Sequence, residues 1–550
     1  MALSSANNVP SGRRFIELVI ACALAVAMGT AVGLMSDLSV KYEIATIIGL
    51  VGAGFLILSP DRRIWCLILW ILIMPLSIEK VFYVPPPIAP EFMDPAIVIN
   101  AGDALLVILF AFLVVRQQLS GEKLLCWPKV ATVFSIYCVW AIISYLIHAT
   151  VLRDGLVDSS PLALLHLFRT LVFIVLIYSA VRSRGDAVLV LLAIMFILLF
   201  ESILVGVSYV TGHILNFTAL IGGQPNLHLQ TYAGDASDMV RGNGTLGQTN
   251  EQATFETFYA LFLLSAFGLR NRFLQFLAVI VLIAASMAIL LTFSRSAWLS
   301  YALALVVAFF IFLRKGAISK GAWLTGAGAA ILIVVVLGAL ASPIFDRISK
   351  KGDEGATNSR LRMIHVALDL ARAYPIIGVG PGEYPQAGLS LRPPVFQVPE
   401  WVALGDKPIE GTIGRLDVVT LQLPGLPALR EPLSVHNKFL LCLAELGVVG
   451  LLLWLMVYWL FFRDALKCAR SKDPFFRAIG IAGIAYFAAA MIYMNLDLFD
   501  NDKSIQLLIF IPLLVTAVAR CVRDRDGGST QATASIGIGA YRSTTARLVS

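Results

Sequence analysis

Apolar residues are gathered in long runs along this chain, and short polar stretches rich in Arg, Lys, Gly and Pro separate them. About 20 apolar residues in a helix cross the hydrocarbon core of a bilayer, and fourteen runs approach that length. They lie at about 14–35, 43–59, 63–78, 99–116, 129–149, 161–181, 185–211, 252–269, 273–293, 296–313, 321–342, 438–462, 476–495 and 504–520. The pattern predicts an all-α polytopic membrane protein with about 12–14 transmembrane helices, fourteen being the best count. The second and third runs are short, so one re-entrant hairpin is the alternative for that pair.

Composition supports a membrane protein. Of the 550 residues, 58% are hydrophobic and only 14% are charged, whereas soluble domains have roughly 45–50% apolar and about 25% charged residues. These values exclude a soluble enzyme, a disordered chain and a nucleic-acid-binding protein.

The positions of the basic residues predict the topology. If the amino terminus is cytoplasmic, the cytoplasmic segments hold 24 Lys and Arg residues and the short opposite loops hold five. Short cytoplasmic loops carry an excess of Lys and Arg. We therefore expect both termini in the cytoplasm and, in a bacterium, the opposite loops in the periplasm.

Two of the periplasmic segments, 212–251 and 343–437, are too long to be simple connections. The larger one contains an amphipathic helix candidate at 360–373, with Leu361, Ile364, Leu368 and Ala371 on one face. We expect this helix to cover a cavity between spans. The expected regions are N-terminal helices (1–159), a transmembrane core that includes the loop 212–251 (160–342), the large periplasmic loop (343–437), C-terminal helices (438–521) and a disordered cytoplasmic tail (522–550).

Ionisable residues inside apolar spans are expensive and therefore informative. Arg169 and Glu201 lie in the sixth and seventh runs. They could pair with each other or with a carbonyl group and hold two helices together, or Arg169 could face a polar cavity. Arg295 interrupts the apolar stretch from 273 to 313 on the periplasmic side, where it is either a turn residue or a cation for a ligand.

A polar, glycine-rich segment precedes the eighth run and contains Arg241 and Asn250. Backbone N–H groups at a helix start favour anions, and a guanidinium binds phosphate through two parallel hydrogen bonds. This segment is a candidate anion site. The run Gly378-Val379-Gly380-Pro381-Gly382 lacks the spacing of a dinucleotide-binding loop, so we reject a nucleotide site there.

His436 and Asn437 stand where the large loop re-enters the membrane. A histidine at a helix amino terminus is favoured in its neutral form, which suits a proton acceptor; the alternative is an interfacial anchor. None of the seven cysteines lies in a predicted periplasmic loop, so we expect no disulfide. No His/Cys cluster indicates a metal site.

Together these segments resemble a known family. The chain has, in order, Arg241-x-x-Gly244-Thr245-x-x-x-x-Asn250, Leu291-Thr292-Phe293-Ser294-Arg295-Ser296-Ala297-Trp298, Arg360, Tyr374-Pro375-Ile376-Ile377-Gly378-Val379-Gly380-Pro381-Gly382, His436-Asn437-Lys438-Phe439-Leu440 and Glu445-Leu446-Gly447-Val448-Val449-Gly450. From about 160 to 520 it resembles the O-antigen ligase superfamily, which also contains the Wzy-type O-antigen and exopolysaccharide polymerases. The chain departs from the family at Gln248-Thr249, where His-Pro is frequent. It also has fourteen predicted spans, whereas ligases of this group usually have about twelve.

The resemblance implies a GT-C-like, metal-independent glycosyltransferase without a cofactor, in the bacterial inner membrane with its active site facing the periplasm. It would take a glycan from undecaprenyl diphosphate and pass it to lipid A–core (a ligase) or to another lipid-linked glycan (a polymerase). It implies His436 as the catalytic base. The implied substrate-binding residues are Arg241, Arg295, Arg360, Arg169, Asn250 and Asn437.

A lipid-linked oligosaccharide flippase is the alternative from another class. It would also have about fourteen spans, but it would need neither the long loop nor His436, and its two halves should show a repeat. The sequence leaves open the sugar, the acceptor and the oligomeric state.

Overall fold

The structure, a computed structural model, describes residues 62–76, 79–83, 97–121, 124–152, 160–212, 241–246, 248–315, 354–391, 435–497, 499 and 504–523. The described chain is almost entirely helical. Its helices are α1 (Arg62–Ile73, followed by a 3-10 turn Met74–Leu76), α2 (Ala101–Ser120), α3 (Lys129–Leu146, continued by a π-helical turn Ile147–Leu152), α4 (Ser160–Ala180), α5 (Arg184–Thr211), α6 (Thr249–Leu263, followed by a 3-10 turn Leu264–Gly268), α7 (Arg272–Leu291), α8 (Arg295–Lys315), α9 (Glu354–Ala373), α10 (Tyr384–Leu391), α11 (Lys438–Ala469), α12 (Pro474–Leu496) and α13 (Ser504–Arg523).

Eight of these helices are long and apolar enough to cross a membrane: α3, α4, α5, α7, α8, α11, α12 and α13. Each coincides with a predicted run. Several carry exposed large apolar side chains, such as Val139, Phe168 and Phe196, on surfaces that suit lipid. The protein is therefore a multi-pass membrane protein. The predicted runs at 14–35, 43–59 and 321–342, most of the two long loops and the tail lie outside the described residues.

Two short strands depart from the predicted all-α fold. Strand β1 (Glu79–Tyr83) pairs antiparallel with β2 (Ile97–Asn100), and Glu79 stands opposite Asn100. These residues lie in or beside predicted apolar runs, and apolar runs of four or five residues do not distinguish a strand from part of a helix. The correction is small, because the other regular elements of the described chain are helices.

Side-chain caps explain where several helices begin. Ser183 and Asp186 form a reciprocal capping box at the start of α5, Asn271 caps α7, and Asp473 caps α12 just before Pro474. Each cap accepts hydrogen bonds from otherwise unpaired backbone N–H groups. The boundaries predicted from hydrophobic runs therefore agree with the structure to within a few residues at these helices.

The core of the bundle surrounds α13 and α6. About 89% of the apolar window of α13 is buried, compared with 33% in α3 and α8, and nearly every residue of α6 is buried. Trp70, Phe173 and Phe510 bring α1, α4 and α13 together with ring centroids 4.9–6.4 Å apart. The α6 helix is too short to cross a bilayer by itself, and its polar side chains lie inside the protein.

The ends of the helices form two distinct faces. At one face, which we call the basic end, the turns before α5 and α12 meet the start of α1 and the last turns of α13. The contacts are Arg63 with Asp186 (3.1 Å), Arg184 with Asp473 (3.4 Å) and Arg520 with the carbonyl of Val181 (2.6 Å). We call the opposite face, which holds Arg241, Arg295 and His436, the motif end. The cytoplasmic location of the basic end stays a prediction from charge.

Helix α11 is broken at Gly447, which corrects the continuous span predicted at 438–462. Gly447 has φ 66° and ψ −169°, a backbone conformation that is essentially restricted to glycine. The ammonium group of Lys438 lies 5.4 Å from the ring of Trp454, whereas a straight helix would separate the two residues by about 24 Å. The first limb (438–446) therefore folds back beside the second limb (448–469).

The amphipathic segment forms α9, but its start and its buried face differ from the prediction. The helix begins at Glu354, six residues earlier, so Arg360 lies inside it. Its buried stripe is Met363, Ala367 and Leu370, while Leu361 is exposed. Both stripes have helical spacing, and packing against α10 and the first limb of α11 selects the one centred on Ala367. The buried face of α9 is therefore rotated about the helix axis relative to the predicted apolar face.

Candidate functional site

The glycine-rich segment 241–246 enters the bundle and is held through its backbone. The N–H of Gly242 donates to the carbonyl of Leu291 (2.8 Å), and the N–H of Asn243 donates to Ser208 Oγ (2.8 Å). A Cβ on Gly242 would lie 2.9 Å from the Val205 side chain, so glycine allows this close approach. The segment joins the last turns of α5 to the last turn of α7.

The Arg241 guanidinium is oriented by two oxygen acceptors. Its Nε donates to the carbonyl of Thr292 (2.8 Å), and one terminal nitrogen donates to Asn250 Oδ1 (3.1 Å). Thr292 belongs to the turn that ends just before Arg295. Two of the motifs that suggested the family are thus joined by one side chain, and Asn250 contacts Arg241.

The turn between α7 and α8 presents Arg295 at the first position of α8. Phe293 in this turn has φ 51°, which is strained for a residue other than glycine. Its buried ring lies 6.0 Å from the ring of Trp298 and 6.1 Å from that of Tyr209. Arg295 itself is exposed. The strained turn therefore places a cation at the open surface of the motif end.

His436 stands beside a carboxylate that the sequence analysis did not select. Its Nδ1 lies 3.8 Å from Asp497 Oδ1 at the end of α12, and both side chains are largely buried. Asn437 caps α11 by accepting hydrogen bonds from the N–H groups of Phe439 and Leu440. Its amide also donates to Asn495 (3.1 Å). The two chain segments are therefore tied together beside the histidine.

The elements that carry these residues converge around Tyr493. The Tyr493 hydroxyl lies close to the hydroxyls of Thr254, Thr257 and Ser300. On each helix, the site residue (Asp497, Asn250 or Arg295) lies four or five residues from the hydroxyl-bearing residue, on the side of the motif end. This separation is about 6–8 Å along a helix. Hence the starts of α6 and α8 and the end of α12, with His436 beside it, lie at a similar depth.

Of the partners considered for Arg169, the structure shows a carboxylate other than Glu201. Arg169 pairs with Asp103 in the first turn of α2; its Nε donates to Asp103 Oδ1 (2.7 Å), and a second hydrogen bond joins the same two side chains. Glu201 instead accepts hydrogen bonds from Thr245. Arg360 is exposed on α9. The place of Arg169 and Arg360 in a common site with His436, Arg241 and Arg295 stays a prediction.

The glycine motif at 378–382 has a structural role next to the break in α11. The N–H groups of Val379 and Gly380 donate to the carbonyls of Ala444 and Glu445 (both 2.9 Å), and the N–H of Val448 donates to the carbonyl of Pro375 (2.9 Å). These bonds satisfy backbone groups that the break leaves without helical partners. The segment 375–380 thus clamps the two limbs of α11.

Helices α3 and α4 hold the same clamp from the other side. His148, Ser144 and Trp140 of α3 contact the carbonyls of Gly378, Ile377 and Leu446, respectively, each at 2.9 Å. The buried Glu383 accepts hydrogen bonds from the N–H and hydroxyl of Ser160 at the start of α4. The first limb of α11, which begins next to His436, is therefore fixed on two sides.

A small apolar cluster lies where α9 and α10 pack against the first limb of α11. It includes Met363, Leu370, Val435 and Leu441. Burial, and secondarily the nearby Glu445, raise the pKa of the Tyr384 hydroxyl; as a neutral phenol it donates to the carbonyl of Met363 (2.8 Å). The helix of the large loop is thus attached to the limb that follows His436.

The sequence patterns did not identify four ionisable residues around the site: Asp497, Asp103, Glu256 and His148. Asp103 and Glu256 lie within predicted apolar runs, so their charge could have marked them. Asp497 belongs to the polar segment Asn495-Leu496-Asp497 just past a predicted span, where acidic residues carry little topological information. His148 lies in the last turn of a predicted span and carried no further signal.

In chemical terms, the motif end offers cations and a base at one depth of the bundle. Arg241 is fixed and Arg295 is exposed, and guanidinium groups bind phosphate oxygens strongly. His436 can accept a proton while Asp497 faces its other nitrogen. Among the described residues, no group of three or more His, Cys, Asp or Glu side chains is arranged to hold a metal ion.

Comparison with known families gives one match. Residues 279–455 match the family model described as O-antigen ligase (Wzy_C). A search of curated proteins finds no match. The matched stretch includes Arg295, Arg360, the clamp 375–380, His436 and Gly447, whereas Arg241, Asn250 and Asp497 lie outside it. Residues 279–455 are therefore similar to the O-antigen ligase family, which supports the resemblance to the O-antigen ligase superfamily found in the sequence motifs.

Proposed function

We propose that this protein is an O-antigen ligase-like glycosyltransferase that moves a glycan from undecaprenyl diphosphate to an acceptor hydroxyl at the periplasmic face of the inner membrane. The observation that carries the proposal is the pairing of His436 with Asp497 at the same end of the bundle as Arg241 and Arg295. A flippase needs cations for a diphosphate, but it has no need of a base supported by a carboxylate.

In this proposal, Arg241 and Arg295 bind the diphosphate of the donor. The Thr292 carbonyl and the Asn250 amide hold Arg241 in one orientation, so little side-chain freedom is lost when the donor binds. Guanidinium groups also stabilise the negative charge that grows on the leaving diphosphate. A diphosphate neutralised in this way can depart without a divalent metal.

His436 acts as the general base. The acceptor oxygen forms a bond to the anomeric carbon while the bond from that carbon to the diphosphate oxygen breaks. Undecaprenyl diphosphate leaves with the bonding electrons, and the hydroxyl proton passes to Nε2 of His436. Nδ1 faces Asp497, whose carboxylate stabilises the imidazolium that forms. A single displacement of this kind inverts the anomeric configuration.

The description of the matched family favours lipid A–core over a second lipid-linked glycan as the acceptor. The polymerase reaction uses the same donor and the same base, so the two reactions differ in what the acceptor side of the cavity binds. Helices α9 and α10, which belong to the long loop, lie next to the first limb of α11. We place the acceptor on that side.

The test uses purified protein in liposomes with an undecaprenyl-diphosphate-linked glycan. One arm adds lipid A–core, one adds only the donor, and one adds a metal chelator to the complete reaction. The ligase proposal expects glycosylated lipid A–core and released undecaprenyl diphosphate, with turnover unchanged by the chelator. Longer lipid-linked glycans in the donor-only arm would indicate a polymerase. Translocated but intact donor in every arm would contradict both enzymes.

A further inference from the structure

Two carboxyl groups, Glu201 on α5 and Glu256 on α6, lie inside the bundle near the segment that carries Arg241. Both residues have no exposed surface. An ionised carboxylate that is buried without a compensating cation is very unfavourable. The groups around Glu256 in the described structure include Ser202, Gln252, Glu201 and the Tyr301 hydroxyl, and none of these is a cation.

The hydroxyl of Thr245 lies between two oxygen atoms, each within hydrogen-bond distance. Thr245 Oγ1 lies 2.8 Å from the carbonyl oxygen of Pro75 and 2.6 Å from Glu201 Oε1. Both distances are those of hydrogen bonds, but a hydroxyl has one proton to donate. The carbonyl cannot donate, so both contacts carry a proton only if the Glu201 carboxyl supplies the second one.

The hydroxyl of Ser202, the residue after Glu201, also lies between a carbonyl oxygen and a carboxyl group. Its Oγ lies 2.7 Å from the carbonyl of Leu198 and 2.9 Å from Glu256 Oε2. The serine proton can satisfy only one of these contacts, and a proton on Glu256 would satisfy the other. The remaining oxygen of Glu256 accepts a hydrogen bond from the Gln252 amide (3.1 Å).

Glu201 also fixes the segment that presents Arg241. Its Oε2 accepts a hydrogen bond from the backbone N–H of Thr245 (2.9 Å). A Cβ on Gly244 would lie 2.1 Å from that same oxygen, so the chain passes directly against the carboxyl group. The two glycines would otherwise leave this segment flexible, and the carboxyl group is therefore one of its main anchors.

We propose that Glu201 and Glu256 are neutral carboxylic acids that each donate a hydrogen bond to a hydroxyl, and that Glu201 is the positioning residue for Arg241. This role of Glu201 rests on the proposed function, because it acts on donor binding through Arg241. The protonation itself does not depend on any activity. The competing interpretation is a pair of charged carboxylates that bind an ion or relay protons.

The two interpretations differ most sharply in the Glu201→Gln variant. The glutamine amide can donate to Thr245 Oγ1 while its carbonyl accepts from the Thr245 N–H, so it reproduces the hydrogen bonds of a protonated acid. We expect this variant to keep a donor KM within about threefold of wild type. Glu201→Ala removes the anchor, and we expect a loss on the order of 100-fold in kcat/KM, as small misplacements of binding groups can cause, mainly through a higher donor KM.

The experiment combines infrared spectroscopy with donor titration of the full-length protein in liposomes. The carbonyl stretch of a protonated carboxylic acid should appear in the wild type at neutral pH and weaken in Glu201→Gln and in Glu256→Gln. Gly206→Ala is the control on α5, because a Cβ there meets nothing within 4 Å, and it should change neither the infrared band nor the donor KM. Thermal unfolding confirms that each variant is folded.

Three results would overturn the proposal. The first is an infrared band that is absent from the wild type or unaffected by both Gln substitutions. The second is a Glu201→Gln variant as defective as Glu201→Ala. The third is a folded Glu201→Ala variant with a normal donor KM. Failure of the proposed function is separate, since it would appear as a normal donor KM and kcat in Arg241→Lys.

Discussion

His436 Nδ1 lies 3.8 Å from Asp497 Oδ1 across the junction between the start of α11 and the end of α12. The distance is longer than a hydrogen bond, as catalytic contacts often are before the substrate binds. The Asn437–Asn495 hydrogen bond holds the two segments together beside it. The proposed role of His436 as a base supported by Asp497 rests on this proximity.

Asp497→Asn should lower kcat with little change in donor KM. The amide keeps the size of the side chain but does not stabilise an imidazolium, so we expect a loss of about 10- to 100-fold, part of what general-base catalysis contributes. Steady-state kinetics per inserted molecule give the answer. Asp369→Asn on α9, whose carboxylate pairs with the exposed Arg372, is the control and should not change kcat. A normal kcat in Asp497→Asn would show that Asp497 does not support the base.

Arg241→Lys and Arg295→Lys should raise the donor KM, since an ammonium group does not reproduce the two-pronged contact of a guanidinium with phosphate. We expect an effect of about tenfold or more for each, corresponding to roughly 1.4 kcal/mol or more. Arg372→Lys on α9 is the matched control, because Arg372 is exposed. A donor titration in liposomes measures the effect. An equal small change in all three variants would argue against a diphosphate site.

Gly447→Ala should destabilise the fold. An alanine would have to adopt φ 66°, and its Cβ would lie 2.1 Å from the carbonyl oxygen of Ile376. Strain of this kind is worth about 1–3 kcal/mol before the clash is counted, so the melting temperature in detergent should fall by several degrees. Gly206→Ala serves as the control again. Unchanged melting of Gly447→Ala would mean that the break in α11 is not required.

The Asp103–Arg169 pair distinguishes a structural role of Arg169 from a substrate-binding one. Removing one member of a largely buried pair costs about 3–5 kcal/mol because the other charge is left without its partner. We therefore expect Arg169→Gln to be destabilised and Asp103→Asn/Arg169→Gln to recover much of the melting temperature. If Arg169 is structural, transfer per folded molecule recovers with stability. Full stability without activity would assign Arg169 to substrate binding.

Much of the bundle could be predicted from the sequence because long apolar runs and their flanking charges are local signals. All eight candidate spans coincide with predicted runs. The break at Gly447 could not be predicted, because its flanking residues are apolar on both sides and the fold-back depends on backbone partners from segment 375–380. The two strands were missed for a similar reason, since each contains only four or five residues.

The candidate site was only partly predictable. Arg241, Arg295 and His436 stood out because they lie at the outer ends of predicted spans in unusual polar contexts, whereas Asn250 and Asn437 came from the family resemblance. Their partners did not stand out, since Asp497 is one of several polar residues after its helix and Thr292 contributes only a carbonyl group. Pairing across helices is a tertiary property. For Arg169, the sequence suggested Glu201 as one possible partner, whereas in the structure Arg169 pairs with Asp103.

The central claim is that His436 is the base of a transfer reaction, and the most direct test is the turnover of His436→Ala at saturating lipid-linked donor. Turnover is measured per correctly inserted molecule, with His365→Ala on the exposed face of α9 as the control. We expect a loss of about 10²–10⁴-fold in kcat for His436→Ala and near wild-type turnover for His365→Ala. Wild-type turnover by a folded His436→Ala protein would contradict the claim.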